Sequence, residues 1–149
     1  MNPSFLAPLK RRALGLAALV LVCAAVVSAS APTGQYSINA GAVTDSKTGL
    51  IWQQVADTTS YSYANAKAHC ASLGSTWRAP SMKELETLVD DSRSSPAIET
   101  TVFTGATGDP YWTSTPAAGN ATQAWVVYFY DGSAGPAAVT STYPVRCVR

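Results

Sequence analysis

Histidine is nearly missing from this chain, and His69 is the single example. One histidine offers no credible Ser/His/Asp triad. It offers no zinc site either, because the cysteines and that histidine lie without ligand spacing. No EF-hand loop and no glycine-rich phosphate loop occurs. Charge is scarce as well, at 13% of residues, and cysteine occurs three times. A catalytic thiol at Cys70 is disfavoured although His69 precedes it, since neighbours on a helix point about 100° apart. Four Trp and seven Tyr stand against these absences, and they fit a compact extracytoplasmic domain rather than a disordered tail.

The charge that exists is unevenly placed. Lys10, Arg11 and Arg12 precede an uncharged apolar run from Ala13 to Val27, and the small residues Ser28-Ala29-Ser30-Ala31 follow. Basic, apolar, small is the order of a secretory signal peptide, with cleavage expected after Ala29 or Ser30. An uncleaved anchor is the alternative, since Ala13 to Ala31 is 19 residues long, near the length that spans a bilayer. With residues 1–30 removed, seven Lys+Arg face nine Asp+Glu, a net charge of −2. That is no footprint for nucleic acid. A secreted or periplasmic domain is expected, free of the membrane once the leader is cut.

Cys23 leaves with the leader. Cys70 and Cys147 remain, and an even count in an oxidising compartment reads as a disulfide. Such a bond encloses 76 residues, a crosslink of roughly 4–5 kcal/mol in the chain-entropy account.

After an N-terminal extension at residues 31–41, the pattern reads as one α+β domain over 42–149, with both helices early and an antiparallel sheet late. Ala42-Val43-Thr44 and Leu50-Ile51-Trp52-Gln53 read as strands around an Asp45–Gly49 turn. Ser62 is an expected N-cap for a helix from Tyr63 to Gly74, with Tyr63, Ala66, Cys70 and Leu73 facing inward. Ser81-Met82-Lys83-Glu84 is a capping box, so a second helix is expected from Met82 to about Val89. Asp90 to Pro110 reads as a polar loop of 21 residues, Tyr111–Thr115 and Ala124–Tyr130 as strands, and Tyr143–Arg149 as the last strand. Asp131-Gly132 signals a hairpin turn. Trp77, Leu85, Leu88, Trp125, Val127 and Phe129 are expected in the core.

Six ordered pieces of the chain resemble the Lcl C-terminal domain family. They are Val43-Thr44-Asp45-x-x-Thr48-Gly49-Leu50-x-Trp52-Gln53, Ala68-x-Cys70-x-x-Leu73, Trp77-Arg78-x-Pro80-x-x-x-Glu84-Leu85, Tyr111-Trp112-x-Ser114-Thr115, Ala124-Trp125-Val126-Val127-x-Phe129-x-x-Gly132 and Val145-Arg146-Cys147-Val148-Arg149. Ala79 stands where Leu is common and Thr113 where Ser is common. The resemblance implies a C-type-lectin-like fold, with two helices, a small twisted antiparallel core and long loops on one face. It also implies that Cys70 pairs with Cys147. It does not imply calcium-dependent sugar binding, because neither Glu-Pro-Asn nor Trp-Asn-Asp occurs here. The family's founding member is a surface adhesin that binds sulfated polysaccharides, which asks for positive surface that a net charge of −2 does not supply.

The expected function is binding by an exported module, an adhesin or envelope-associated domain that takes an extracellular carbohydrate or protein. The face expected to do it is built from the loops 90–110, 116–122 and 131–142, whose polar residues sit between strands. Asp90, Asp91, Asp109 and Asp131 could offer oxygens to Ca²⁺. Tyr111 and Tyr130 could offer flat surfaces to a sugar, and Asn120 opens an exposed sequon. Trp52, Trp77, Trp112 and Trp125 read as core first and sugar platforms second. Arg78 and Arg146 read as structural charges. Two alternatives stay open: an oligomer-forming subunit of a surface assembly, and an enzyme of the formylglycine-generating type, which would need a reactive cysteine pair and a metal.

Overall fold

The computed structural model describes residues 31–149, and the expected leader with Cys23 lies outside them. The first described elements are hairpins. Strand β1 (Tyr36–Asn39) joins β2 (Ala42–Asp45) through Ala40 and Gly41, both at positive φ (48° and 78°), the backbone that a two-residue hairpin turn demands. Asp45 then closes the next turn with its own carboxylate. Oδ1 accepts from the Lys47 N–H at 3.0 Å and Oδ2 from the Thr48 hydroxyl at 2.7 Å. The chain returns as β3 (Ile51–Gln53), paired with β2 so that Val43 faces Trp52. These strands form a three-stranded antiparallel sheet in the order β1-β2-β3. The β2–β3 pair was expected around the Asp45–Gly49 turn, and the third strand, β1, arises in the segment read as an extension.

Helix α1 (Tyr63–Ser72) follows, with Ser62 at the N-cap. The Ser62 side chain makes no capping bond; the Val139 carbonyl takes the Tyr63 N–H instead, at 3.2 Å. Ala66 and Cys70 face inward as expected, but Leu73 is 41% exposed. Helix α2 (Met82–Glu86) starts on the expected capping box. Ser81 Oγ accepts from the Glu84 N–H at 3.3 Å, and Glu84 Oε2 accepts from the Ser81 N–H at 2.7 Å. It stops at Glu86 rather than Val89. The Leu88 and Val89 amides bond three residues back, to Leu85 and Glu86, the tightened turn common at helix ends.

Strands β4 (Pro110–Pro116), β5 (Gln123–Tyr128) and β6 (Ala134–Ala138) form the second antiparallel sheet, in that order. β6 lies within the expected 131–142 loop. Its Pro136 pairs with Trp125 on an edge strand, where a missing N–H is tolerated. The last residues do not form a regular strand. Tyr143 bridges Tyr61, and Val148 bridges both Trp52 and Arg78. Pro144 contributes no N–H. The terminal segment thus lies between β3 and the residues after α1, and Cys147 joins Cys70 across a Cα separation of 5.4 Å.

β5 divides the core. Val127 and Phe129 enter one cluster with Val43, Trp52, Leu85, Leu88, Ile98, Phe103, Tyr111 and Val148. Ala124 and Val126 enter another with Ala66, Cys70, Trp112, Val145 and Cys147. Alternation along a strand covered on both faces produces this split. Trp77 and Trp125, expected in the core, are only partly buried. Trp125 stands nearer the 117–122 turn than Val127 does, past the end of that cluster. The 90–110 segment has no helix or strand before Pro110, where β4 begins, but it is not a purely polar loop. Ile98 and Phe103 are fully buried. Its backbone is bound at both ends, Ala97 N–H to the Phe129 carbonyl at 2.6 Å and the Thr104 carbonyl to Ala56 N–H at 3.0 Å.

Candidate functional site

The loop residues singled out in the sequence divide between two ends of the second sheet. At the end where β4 begins, Asp109 accepts from the Phe129 N–H through its carbonyl at 3.3 Å, and Tyr130 accepts from Ser95 N–H at 2.9 Å. Asp91 Oδ1 lies 3.7 Å from where a Cβ on Gly132 would stand. Asp91, Asp109, Tyr130 and Asp131 therefore share one rim. Tyr130 is 64% exposed. The Asp131 carboxylate is held below its ordinary range by the Ser133 hydroxyl and then by the Ser133 N–H. Asp109 Oδ2 accepts from the Thr107 hydroxyl at 2.8 Å.

The other three candidates sit elsewhere. Asp90 is buried and anchors the loop. Oδ1 takes the Ser92 N–H at 3.0 Å and Oδ2 takes Arg93 Nε at 3.0 Å. Burial pushes its carboxyl up, but the bonds from Ser92 and Arg93 outweigh that and leave it below the ordinary value. Tyr111 is buried edge-on against Phe129, 5.3 Å between centroids, so it presents no face to a ligand. Asn120 occupies the 117–122 turn at the far end, where its Oδ1 accepts from Thr122 N–H and hydroxyl. The 116–122 loop thus does not join the other two in one face. Among the described residues, no three His, Cys, Asp or Glu side chains gather where they could hold one ion. The two described cysteines are bonded to each other.

Other polar groups are committed to structure. Arg78 grips Glu84 with two bonds, 2.8 and 2.6 Å. Arg146 is fully buried. Its Nη1 donates to the Gln53 and Gln54 carbonyls, at 2.7 and 2.8 Å, and its guanidinium lies 5.1 Å from the Phe103 centroid. Burial draws its pKa down to about 10. The Tyr61 hydroxyl donates to Asp57 at 2.7 Å and lies 3.1 Å from His69 Nδ1. His69 Nε2 is 3.3 Å from Asp57 Oδ2 but off the line of a hydrogen bond.

A groove lies elsewhere among the described residues, on the outer face of the first sheet. Val43 and Trp52 point into the core, so Asn39, Ala42, Thr44, Ile51 and Gln53 share the opposite face by register. They floor a groove of about 570 Å³. Leu73, Trp77 and Arg149 wall it, and the Ala40-Gly41 turn forms its lip. Arg149 is fixed by its backbone, which exchanges bonds of 2.8 and 2.9 Å with Ile51. Its guanidinium lies 4.8 Å from the Trp77 centroid, a cation–π contact. Among the described residues no Asp or Glu side chain pairs with it, and its guanidinium is the one charged side chain among the residues that line the groove. Gln53 Oε1 accepts from the Cys147 N–H at 2.8 Å, which leaves the Nε2 amide as the uncommitted end.

The match to the Lcl C-terminal domain family spans residues 41–149. The chain belongs to that family. A search of curated proteins finds no match to the chain. The Lcl C-terminal domain match contains the groove residues Thr44, Gln53, Leu73, Trp77 and Arg149, while Asn39 precedes it. The groove was missed in the sequence. Its one visible signal was that Trp77 opens one family motif and Arg149 closes another, and each motif also holds a structural arginine, Arg78 or Arg146, that drew the attention.

Proposed function

We propose that this Lcl C-terminal domain is an exported recognition module, C-type-lectin-like in fold, that acts by binding an extracellular carbohydrate in the groove. The groove carries the reading. It combines an indole and a leucine wall with a floor of amides and a hydroxyl, the mix of apolar surface and few polar groups found in small-molecule sites. An indole suits the C–H face of a sugar ring, and amides suit its hydroxyls. The basic-apolar-small leader and the Cys70–Cys147 bond support export. No Asp or Glu side chain lines the groove among the described residues, and this reading invokes no calcium ion. The acidic balance argues against nucleic acid.

A glycan array probed with the processed chain tests the reading. Binding of defined glycans is expected, with Trp77→Ala lowering affinity at least about tenfold while far-UV dichroism stays unchanged. A folded protein that binds no glycan, or a Trp77→Ala variant that binds equally well, would defeat it. A second reading, a subunit that associates through a sheet edge, is favoured by Ile38, which stands 50% exposed on β1. Sedimentation of the processed chain with and without Ile38→Lys separates the two.

A further inference from the structure

We infer that a second copy of the chain adds to the free edge of β1 around a two-fold axis at Ser37, joining the two first sheets into six antiparallel strands. The inference rests on the sheet-edge association named above and gives it an edge, a partner and a register. Four strands lie at the outside of the two sheets, and three of them are closed. The terminal segment takes the edge of β3, where Ile51 exchanges bonds with Arg149 and Gln53 N–H donates to the Cys147 carbonyl at 3.0 Å. On β4, Trp112 N–H donates to the Pro144 carbonyl at 3.0 Å and Ser114 N–H to the Pro80 carbonyl at 2.6 Å. Pro136 interrupts β6 at its middle. β1 has neither a proline, a charged side chain nor a bulge against β2, although a free edge ordinarily carries such a device. Its Ser37, Ile38 and Asn39 are exposed.

The phase of the ladder decides which groups this edge offers. Opposed residues in an antiparallel pair alternate between bonded and non-bonded. Ser46 N–H donates to the Gln35 carbonyl, and Asp45 N–H donates away from β1 to the Leu50 carbonyl, both at 2.9 Å. Gln35, Ser37 and Asn39 therefore turn their backbone groups toward β2, while Tyr36 and Ile38 turn theirs outward. Among the described residues these outward groups bond to nothing. A second β1, antiparallel and centred on Ser37, sets each Tyr36 against the copy's Ile38. Four backbone bonds then satisfy every outward N–H and C=O of both strands. The edge is thus its own complement, as a two-fold interface requires. The side chains agree. No like charges meet, and Ile38, 50% exposed, lies on the Val43 face beside the copy's Tyr36, an apolar cross-strand pair. Ser37 and the groove floor share the other face, so the two grooves open on one side of the six strands.

Sedimentation equilibrium of the processed chain is expected to show a weak monomer–dimer equilibrium, with a dissociation constant on the order of 0.1 mM, as suits a small interface. Ile38→Pro removes an outward N–H that β2 does not use, and should weaken the dimer at least about tenfold with far-UV dichroism unchanged. Cross-linking reads the register. Ser37→Cys places two thiols at the axis with Cα atoms about 4.5 Å apart, within disulfide range, so mild oxidation should give a covalent dimer. Asn39→Cys lies on the same strand and face but about 14 Å from its copy, and should give none. A chain that stays monomeric at about 1 mM would overturn the inference and the sheet-edge association together. A dimer in which Ser37→Cys and Asn39→Cys cross-link alike, or one that Ile38→Pro leaves intact, would overturn the inference and leave association through another surface standing. The cross-links do not need Ile38→Pro, so they decide the matter even if that variant fails to fold.

Discussion

Gly132 shows how closely single residues are specified. It sits at φ 81°, and a Cβ there would stand 2.5 Å from Val89 Cγ1. Gly132→Ala therefore combines an unfavourable backbone with a clash in a packed region. It should cost about 2–4 kcal/mol in urea unfolding. The Asp-Gly signal made this turn legible in the sequence, although the contact with Val89 was not. Glu84 shows the same mixture. The capping box was visible from Ser81 and Glu84, but the grip of Arg78 was not. That grip comes first among the causes that hold the Glu84 carboxyl at about 2, against an ordinary 4.5. A depressed carboxyl stabilises the fold above its unfolded value and loses that effect as pH falls through the folded one. Stability should therefore drop from about pH 4.5 toward pH 2, and Glu84→Gln should flatten that part of the curve. Because the pair is partly exposed, the substitution should cost only about 1 kcal/mol near neutrality. Trp77 and Leu73 were misread as inward-facing because helical or aromatic pattern says nothing of where a wall ends. Leu73 follows α1 as its cap, at the edge of a groove that no local pattern reports.

The segment from Asp90 to Pro110 is the element on which sequence and structure part most. It reads as polar because its apolar residues come in isolated pairs, Ala97-Ile98 and Val102-Phe103, with no period to mark a face. Yet Ile98 and Phe103 are fully buried, and the Phe103 ring lies between Tyr36, 5.0 Å away, and the Arg146 guanidinium. Phe103→Ala should cost about 3–5 kcal/mol, as a core aromatic does, rather than the few tenths expected of a surface loop. Chemical denaturation of that variant decides between the two readings. β6 was hidden for a related reason. Gly135-Pro136 is loop chemistry unless the proline falls on an edge, and only the pairing with β5 shows that it does. By contrast, the strand alternation of Val127 and Phe129 and the capping box of α2 were readable because each is a local rule. The disulfide was readable from cysteine number, and its partners lie on α1 and the terminal segment, two elements with no other covalent tie. Replacing Cys70 and Cys147 by Ala together should lower stability by roughly 3–5 kcal/mol, mostly through the unfolded chain, as read by thermal unfolding of the non-reduced protein and the double variant.

At the scale of the whole molecule, the family match and the folded unit have different starting points. The match begins at Gly41, but β1 runs from Tyr36 to Asn39 and pairs along its length with β2. Tyr36 packs edge-on against Phe103, and burial followed by the fields of Asp45, Asp90 and Glu99 pushes its hydroxyl up to about 12. Residues before the match thus reach into the cluster that the 90–110 segment completes. The same residues supply Asn39 to the floor of the groove and Ala40 to its lip. A chain starting at residue 41 should therefore lose two properties at once. Loss of Tyr36 burial and its aromatic contact should cost about 3 kcal/mol, a fall in melting temperature on the order of 10 °C. Sugar affinity should fall as well, because the groove loses one of its two amides and a rim. The single substitution Asn39→Ala separates the effects. It should weaken sugar binding while leaving the melting temperature nearly unchanged, since Asn39 is exposed and lies on the face away from Val43 and Trp52. If the shortened chain melts and binds like the longer one, β1 is an ornament on a domain that is complete without it, and the groove is not the binding surface.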